Sequence, residues 1–377
     1  MPTRVLRIPL TEWWDPAYIF ETLYRDSSHA FWLDAGVDAE SGSSYLGAAD
    51  GSSRFVTASV EDGTLSVSVP GNEAIDGVTI AGTIFDYLDA DLSADVGNNR
   101  GASAAGSHDS GFSLGWVGWF GYELGAQTVG TPVHRSGYPD AAFLHVDRAI
   151  AVDHAERTVS LLALESSENL PAALDAWAAS VERMLRAGSG SASHARLAPS
   201  PSAAEAAAHA PAAHAPAAHA PAASAATAPA ATWRHTAEHY ADLVQRCQQF
   251  ITRGDAYQLC LTNEITVEIA PDAQPHPVDA YRALRAGSPS HHGGLLRFGE
   301  HALLSASPEQ FVAVTPGGRI TTKPIKGTRP RSSDRLRDTQ LLAELIGSQK
   351  ERAENLMIVD LMRNDLGRIA VPGSVVV

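Results

Sequence analysis

Between residues 189 and 231 the chain narrows almost wholly to alanine, proline, serine and histidine, and the unit HAPAA recurs from His209, His214 and His219. Proline at that frequency removes amide donors and fixes φ, so neither a helix nor a sheet ladder can run through the stretch. The expectation is a disordered or semi-extended tether that carries its histidines incidentally. The 377 residues are thereby cut into two blocks, 1–188 and 233–377, joined by a linker over 189–232. Each block is long enough to bury a core of its own.

Charge and cysteine usage narrow the setting. The chain carries 43 Asp and Glu against 28 Lys and Arg, a formal charge of -15, which argues against a protein built to coat nucleic acid. Its start, MPTRVLRIPLTEWWDPAY, lacks the apolar run of a secretory signal, and no window is long enough to span a bilayer. Cys247 and Cys260 are the only cysteines, too few for a disulfide framework. A soluble, cytoplasmic protein without nucleic-acid or membrane partners is expected.

In the first block HAFWLDAG and SSYLGAAD predict strand, turn, strand, and SRFVTASV and GTLSVSV alternate as half-buried strands do. FLHVDRAIAVDHAERTVSLLAL predicts a hairpin turning at Asp153–Arg157. PAALDAWAASVERMLRAG has helical period, with Leu174, Trp177, Val181 and Leu185 on one stripe and Gly188 as a stop. The glycines of GWVGWFGYELG permit tight strand packing around aromatics, a core feature.

The second block opens on an amphipathic helix in TAEHYADLVQRCQQFITRGD, with Tyr240, Leu243, Val244, Cys247 and Ile251 on its stripe and Gly254 at its end. AYQLCLTNEITVEI predicts a strand and VDAYRALRAG a short helix. GGLLRFG, ALLSASPEQFVAV and RITTKPIKGT read as strands, residues 333–369 as helix broken near Gly347, and VPGSVVV as a further strand. Strands with inserted helices, rather than regular βαβ alternation, give an α+β fold with large, mostly antiparallel sheets and flanking helices.

Three clusters in the second block carry candidate chemistry. SASPE, 305–309, presents Glu309 from a turn leaving a strand, although an exposed turn glutamate would look the same. TKPIKGTRPR places four cations in ten residues, Lys323, Lys326, Arg329 and Arg331, around Gly327, where backbone can approach a ligand, and the hydroxyl of Thr328. That is an anion site or a solvated basic loop. In KERAENLMIVDLMRND, Glu351 and Glu354 lie three apart and share a helix face. Either a cation such as Mg²⁺ lies between them, or they form an acidic turn paired with Lys350 and Arg352. A basic anion site beside a Mg²⁺ site suggests a substrate with carboxylates. No Gly-rich phosphate loop, G-x-S-x-G elbow or H-E-x-x-H motif is present.

Taken in order, GDAYQLCLT (254–262), SASPE (305–309), KPIKGTRPR (323–331) and AENLMIVDLMRNDLGRI (353–369) resemble the chorismate-utilising enzymes. FWLDAG, SYLG and GWVGWFGYELG are similar to the amino-terminal region of the same family, and the resemblance covers nearly all of the chain except the linker. It implies an anthranilate synthase component I-like fold, with an amino-terminal domain over 1–188 and the first part of a chorismate-binding domain over 233–377. Members that add water carry a base lysine where this chain has Gln258, and a neutral amide cannot deprotonate water. Anthranilate synthases usually have alanine at the position of Lys326; a lysine there resembles the large subunit of aminodeoxychorismate synthases.

For that branch the resemblance implies amination of chorismate at C4, with Lys326 attacking C2 and ammonia arriving from a glutamine amidotransferase subunit. Nucleophilic use needs a neutral amine, which neighbouring Lys323, Arg329 and Arg331 and burial would favour. Glu309 is implied as acid/base or positioning residue, and Gly327, Thr328 and Gln258 as substrate contacts. Glu354 is implied as a Mg²⁺ ligand, with Glu351 supporting. Relatives can hold tryptophan in the amino-terminal block; where their motif often carries serine this chain has Ala35. The family continues past the point corresponding to Val377, so a carboxyl-terminal truncation with little activity of its own is expected. Anthranilate synthase component I and a non-catalytic, partner-binding remnant stay open as alternatives.

Overall fold

A computed structural model of the chain describes residues 5–71, 77–99, 111–165, 171–191, 231–315 and 317–377. Almost all of the expected linker, 192–230, lies outside these residues. The chain divides into two compact units, Met1–Ala210 with Pro277–Val377, and Pro211–His276.

The first unit is built on two antiparallel sheets. Its seven-stranded sheet contains β1 (Val5–Pro9), β2 (His29–Asp34), β3 (Ser43–Ala48), β9 (Arg148–Asp153), β10 (Thr158–Leu164), β13 (His292–Phe298) and β14 (His301–Ser307), in the order β1-β10-β9-β3-β2-β13-β14. Its five-stranded sheet contains β4 (Phe55–Ser59), β5 (Thr64–Ser68), β6 (Val78–Ala81), β7 (Gly115–Phe120) and β8 (Ala141–Val146), in the order β6-β5-β4-β8-β7. The α+β expectation with large antiparallel sheets holds. The predicted hairpin turns where the sequence placed it, with Thr158 paired to Asp153.

Sequence separation does not keep the two blocks in separate sheets. β13 pairs with β2 from Gly293↔Asp34 to Phe298↔His29, so strands of the second block extend the sheet of the first. Tyr281 of α6 (Pro277–Gly287) also packs its ring edge-on to Trp32, with centroids 5.2 Å apart.

Period-two alternation decides what each strand buries. Trp32, Leu46, Ile150 and Leu161 face α1 (Pro16–Leu23), α4 (Pro171–Ser191) and α6, packing with Ile19, Phe20, Val181, Leu185 and Tyr281. Their neighbours Phe31, Ala149, Ala151 and Leu162 face the other sheet, against Val117, Ala142 and Leu144. The outer side of the five-stranded sheet is covered by Ile84 and Leu88 of α2 (Ile84–Asn99) and by Leu124, just before α3 (Gly125–Thr128). The tight packing expected of GWVGWFGYELG is real: a Cβ on Gly118 would lie 1.9 Å from the Ala142 carbonyl oxygen.

Several boundaries differ from expectation. Gly188 does not stop α4, which runs to Ser191; it lets the Tyr18 ring approach, and a Cβ there would meet the Tyr18 hydroxyl at 2.6 Å. That hydroxyl donates to the Leu185 carbonyl at 2.6 Å. Residues 324–331 form an irregular loop rather than a strand, and β15 (Ala313–Val314) and β16 (Ile320–Thr321) pair over only two residues. Residues 371–377 are also irregular: a strand needs a ladder partner, and none pairs there among the described residues. α7 (Arg335–Gly347) and α8 (Gln349–Gly367) divide at Ser348, next to the predicted break.

The second unit holds β11 (Ala231–Trp233), α5 (Ala237–Arg253) and β12 (Ile265–Val267). Thr236 caps α5 by accepting the His239 amide, and Gly254 closes it at φ 81°. β11 and β12 pair antiparallel over three residues, while 256–264 is irregular; the long strand expected there shrinks to the part that has a partner.

Candidate active site

The basic loop 324–331 is tied at two points by carboxylates from different elements. After β14, the Ser307 hydroxyl donates to the Glu309 carbonyl at 3.1 Å, which turns the chain. Glu309 Oε1 then accepts the Ile325 amide at 3.1 Å, immediately before Lys326. From the other side, Glu351 Oε1 accepts from Arg329 Nη1 at 3.1 Å. Lys326, Gly327 and Thr328 are strung between these two ties.

Local sequence explains why Glu351 reaches the loop. Ser348 is the N-cap of α8 and accepts the Glu351 amide at 3.3 Å, the spacing of a capping box. In a capping box the glutamate would reach back to the cap amide, but the Ser348 amide already donates to the Leu345 carbonyl at the end of α7. The carboxylate is left free to turn outward to Arg329. It also packs on the loop backbone: a Cβ on Gly327 would lie 2.7 Å from Glu351 Oε2. Gly327 sits at φ 79°, in the left-handed region that favours glycine.

Lys326 is half-buried, and its amine makes no ion pair or hydrogen bond among the described residues. The two arginines expected to press on it are each matched by a carboxylate. Arg329 holds Glu351, and Arg331 forks onto Asp338 through Nε at 2.9 Å and Nη2 at 2.8 Å. That fork, with the Ser332 amide, holds the half-buried Asp338 carboxyl down at about 2. Much of the like-charge pressure predicted from sequence is thus offset.

Glu354 lies one turn beyond Glu351 and pairs with Lys350 at 3.6 Å, an i,i+4 contact between partly exposed side chains. An exposed pair of that kind is weak, ~0.3–0.5 kcal/mol. Among the described residues no group of three or more His, Cys, Asp or Glu could hold a metal by itself. The donor chemistry still fits Mg²⁺, which takes one or two carboxylates and leaves its other positions to water and substrate oxygens. Gln258 is exposed within the second unit.

A second polar cluster lies buried under β2. Asp34 accepts from the Tyr281 hydroxyl at 3.0 Å and the Gly36 amide at 3.0 Å, and pairs with Arg285. Ser44 bridges it to His154, whose Nε2 is 2.9 Å from the Ser44 hydroxyl. Burial pushes the Tyr281 phenol well above its ordinary range and the His154 imidazole below its own. Ala35, at the position singled out in the sequence, donates its amide to Ser44 at 3.1 Å. A cleft of about 400 Å³ lined by Trp13, Gly36, His154 and Arg285 opens beside the cluster. This network could not be read from the sequence, because His154, Tyr281 and Arg285 lie more than a hundred residues from Asp34 and Ser44.

An antiparallel sandwich beside a lysine loop held by two glutamates defines the class. The chain belongs to the chorismate binding enzyme family, whose model matches residues 72–377. It is 37% identical over 376 residues to an aminodeoxychorismate synthase of Streptomyces griseus, covering 99% of this chain and 47% of that protein. It is also 37% identical to the aminodeoxychorismate synthase of Streptomyces pristinaespiralis over 94% of this chain and 45% of the other. Anthranilate synthase component 1 of Streptomyces coelicolor is 34% identical over 70% of this chain and 48% of its own length. The chain thus spans about half the length of these relatives. In fold it is similar to the crystal structure of anthranilate synthase component I from Streptococcus pneumoniae, at TM-score 0.57 and 21% identity, covering 91% of this chain and 62% of that one. Among the described residues no helix is long and apolar enough to cross a membrane.

Proposed function

We propose that the chain carries the lysine-bearing part of the site of an aminodeoxychorismate synthase. The protein it serves would convert chorismate and ammonia into 4-amino-4-deoxychorismate and water, with the ammonia supplied by a glutamine amidotransferase. The observation that carries this reading is the suspension of Lys326 between Glu309 and Glu351, with an amine free of partners among the described residues.

In the proposed reaction the neutral Lys326 Nζ forms a bond to ring C2. The two conjugated ring double bonds each shift by one position, the C4–O bond breaks, and Glu309 delivers a proton to the departing hydroxyl, which leaves as water. Ammonia then bonds to C4 and gives a proton back to Glu309, the two double bonds shift back, and the C2–Nζ bond breaks to restore the lysine. Glu309 is suited to this role because Oε1 is held by the Ile325 amide while Oε2 has no hydrogen bond among the described residues. The Gly327 backbone and the Thr328 hydroxyl would contact the substrate. Glu354 and Glu351 would hold Mg²⁺, which when bound supplies positive charge to the ring carboxylate.

The test is made on the full-length protein with chorismate, Mg²⁺ and ammonium, following products by mass. Aminodeoxychorismate is expected from the native protein, and Lys326→Ala should abolish it. Undiminished product from Lys326→Ala would remove the lysine from the mechanism. Release of pyruvate with an aromatic amino acid would instead support the anthranilate synthase reading, which the 34% identity to the Streptomyces coelicolor protein keeps in view.

A further inference from the structure

We propose that Arg329 is the resident counter-ion of Glu351 and is exchanged for the divalent cation when the metal binds. Metal occupancy and the conformation of the Lys326 loop then form one equilibrium. This rests on the assignment of Glu351 to the metal site and adds a positioning role for a residue outside that assignment.

Three features of the structure support it. Glu351 and Arg329 are both largely covered, with side chains 15% and 29% exposed, so their pair is less screened than the surface pairs nearby. Arg329 Nη1 also serves two acceptors at once, Glu351 Oε1 at 3.1 Å and the Thr328 carbonyl at 2.7 Å. A change in the ion pair is therefore felt directly at a proposed substrate contact. Finally, Glu351 packs against Gly327, and a Cβ there would clash with the carboxylate, its Cβ and its Cδ at 2.7–3.0 Å. Only a glycine leaves room for the carboxylate to lie this close to the peptide next to Lys326.

The exchange follows from charge. Mg²⁺ drawn to the Glu351 carboxylate would stand beside the guanidinium, and two cations at one carboxylate repel. Arg329 is then released with its fork of donors facing the loop, a geometry that matches a carboxylate of the substrate. Arg331 is the internal contrast. It lies two residues on, carries the same charge, and is occupied by Asp338 instead.

The experiment measures Mn²⁺ affinity by electron paramagnetic resonance on the full-length protein without chorismate. Arg329→Ala should bind Mn²⁺ about fivefold more tightly, the factor withheld by a competing ion pair of ~1 kcal/mol. Arg329→Lys, which keeps a partner for Glu351, should stay near the native value. Arg331→Ala should not change it, and Glu351→Gln should weaken binding whether or not Arg329 is present. Unchanged or weaker binding by Arg329→Ala would overturn the exchange, as would an equal gain from Arg331→Ala, which would reduce it to net charge. Absence of Mn²⁺ binding in every form would overturn both the exchange and the metal assignment. An Arg329-dependent shift in a protein that makes no aminodeoxychorismate would uphold the exchange and remove only the proposed reaction.

Discussion

Helices α4 and α8 are nearly the same length, 21 and 19 residues, and both show apolar residues at helical spacing. They meet opposite fates. Leu174, Val181 and Leu185 of α4 are buried, the latter two against the seven-stranded sheet, and each such side chain contributes ~1.5–3 kcal/mol. No residue of α8 is buried, and Leu356 is 68% exposed. The hydrogen bonds that tie α8 among the described residues are the Ser348 cap, Arg329 on Glu351, and a long contact from Thr322 to the Met362 sulfur, while Ile358, Val359, Met362 and Leu366 are only half-buried. The sandwich is held by apolar burial, whereas the candidate site is held by charge and hydrogen bonds. Changes in the two regions should therefore appear in different measurements.

The largest expected effect lies in the sandwich. Trp32 is fully buried, stacks on Phe20 at 5.6 Å and meets Tyr281 edge-on. Trp32→Ala should cost ~3–5 kcal/mol in guanidinium unfolding, the range for removing a large aromatic from a core. A loss below about 1 kcal/mol would mean that this core is not what holds the unit together. Next in size is Gly118→Ala, whose Cβ would face the Ala142 carbonyl oxygen at 1.9 Å and the Phe143 Cα at 2.8 Å. Both obstacles are backbone and cannot rotate away, so a loss of at least ~1–3 kcal/mol is expected. Unfolding midpoints equal to the native protein's would show that β7 and β8 can separate freely.

Legibility in the sequence follows the same division. The Asp153–Arg157 turn, β2, β3 and the stripe of α4 could be read because alternation and helical period are local. The joining of β13 to β2 could not be read, since it pairs residues some 260 positions apart. Residues 256–264 and 371–377 look like strands in composition but have no ladder, and β-propensity alone does not supply one. α1 has a local signal of its own, since Asp15 caps it and Pro16 opens it. At the site, motif and spacing indicated Glu309, Lys326, Gly327 and Glu351. They could not indicate that Glu351 would be turned away from its own cap toward Arg329, because that depends on how α7 ends.

A smaller effect is expected with acid. Burial, and for His29 also the charge of Arg297, holds the His29 and His154 imidazoles below their ordinary value in the folded protein. The unfolded chain takes up protons near pH ~6.5, before the folded one does. Between that pH and the lower folded values the unfolded state binds more protons, so stability falls as pH falls; well above pH 7 these groups give no slope. Unfolding midpoints at pH 7.5 and 5.5 should differ, and the His29→Gln, His154→Gln double variant should narrow the gap. A gap of the same width in the double variant would assign the slope to other groups.

The smallest effect tests the comparison from its other side. Leu356 projects from α8 into water, as do Leu336, Leu342 and Ile346 of α7, and a side chain that folding leaves exposed has little transfer energy to lose. Leu356→Gln keeps helix propensity nearly unchanged, so it should alter the unfolding free energy of this chain by less than ~0.5 kcal/mol. Trp32→Ala and Leu356→Gln, measured side by side by guanidinium unfolding, should thus differ severalfold. A cost for Leu356→Gln approaching that of Trp32→Ala would mean that the face of α8 is covered in solution, and the contrast between an apolar sandwich and a polar-tethered site would fail. A midpoint that rises with protein concentration in the native chain, and not in Leu356→Gln, would identify the cover as a second copy of the chain.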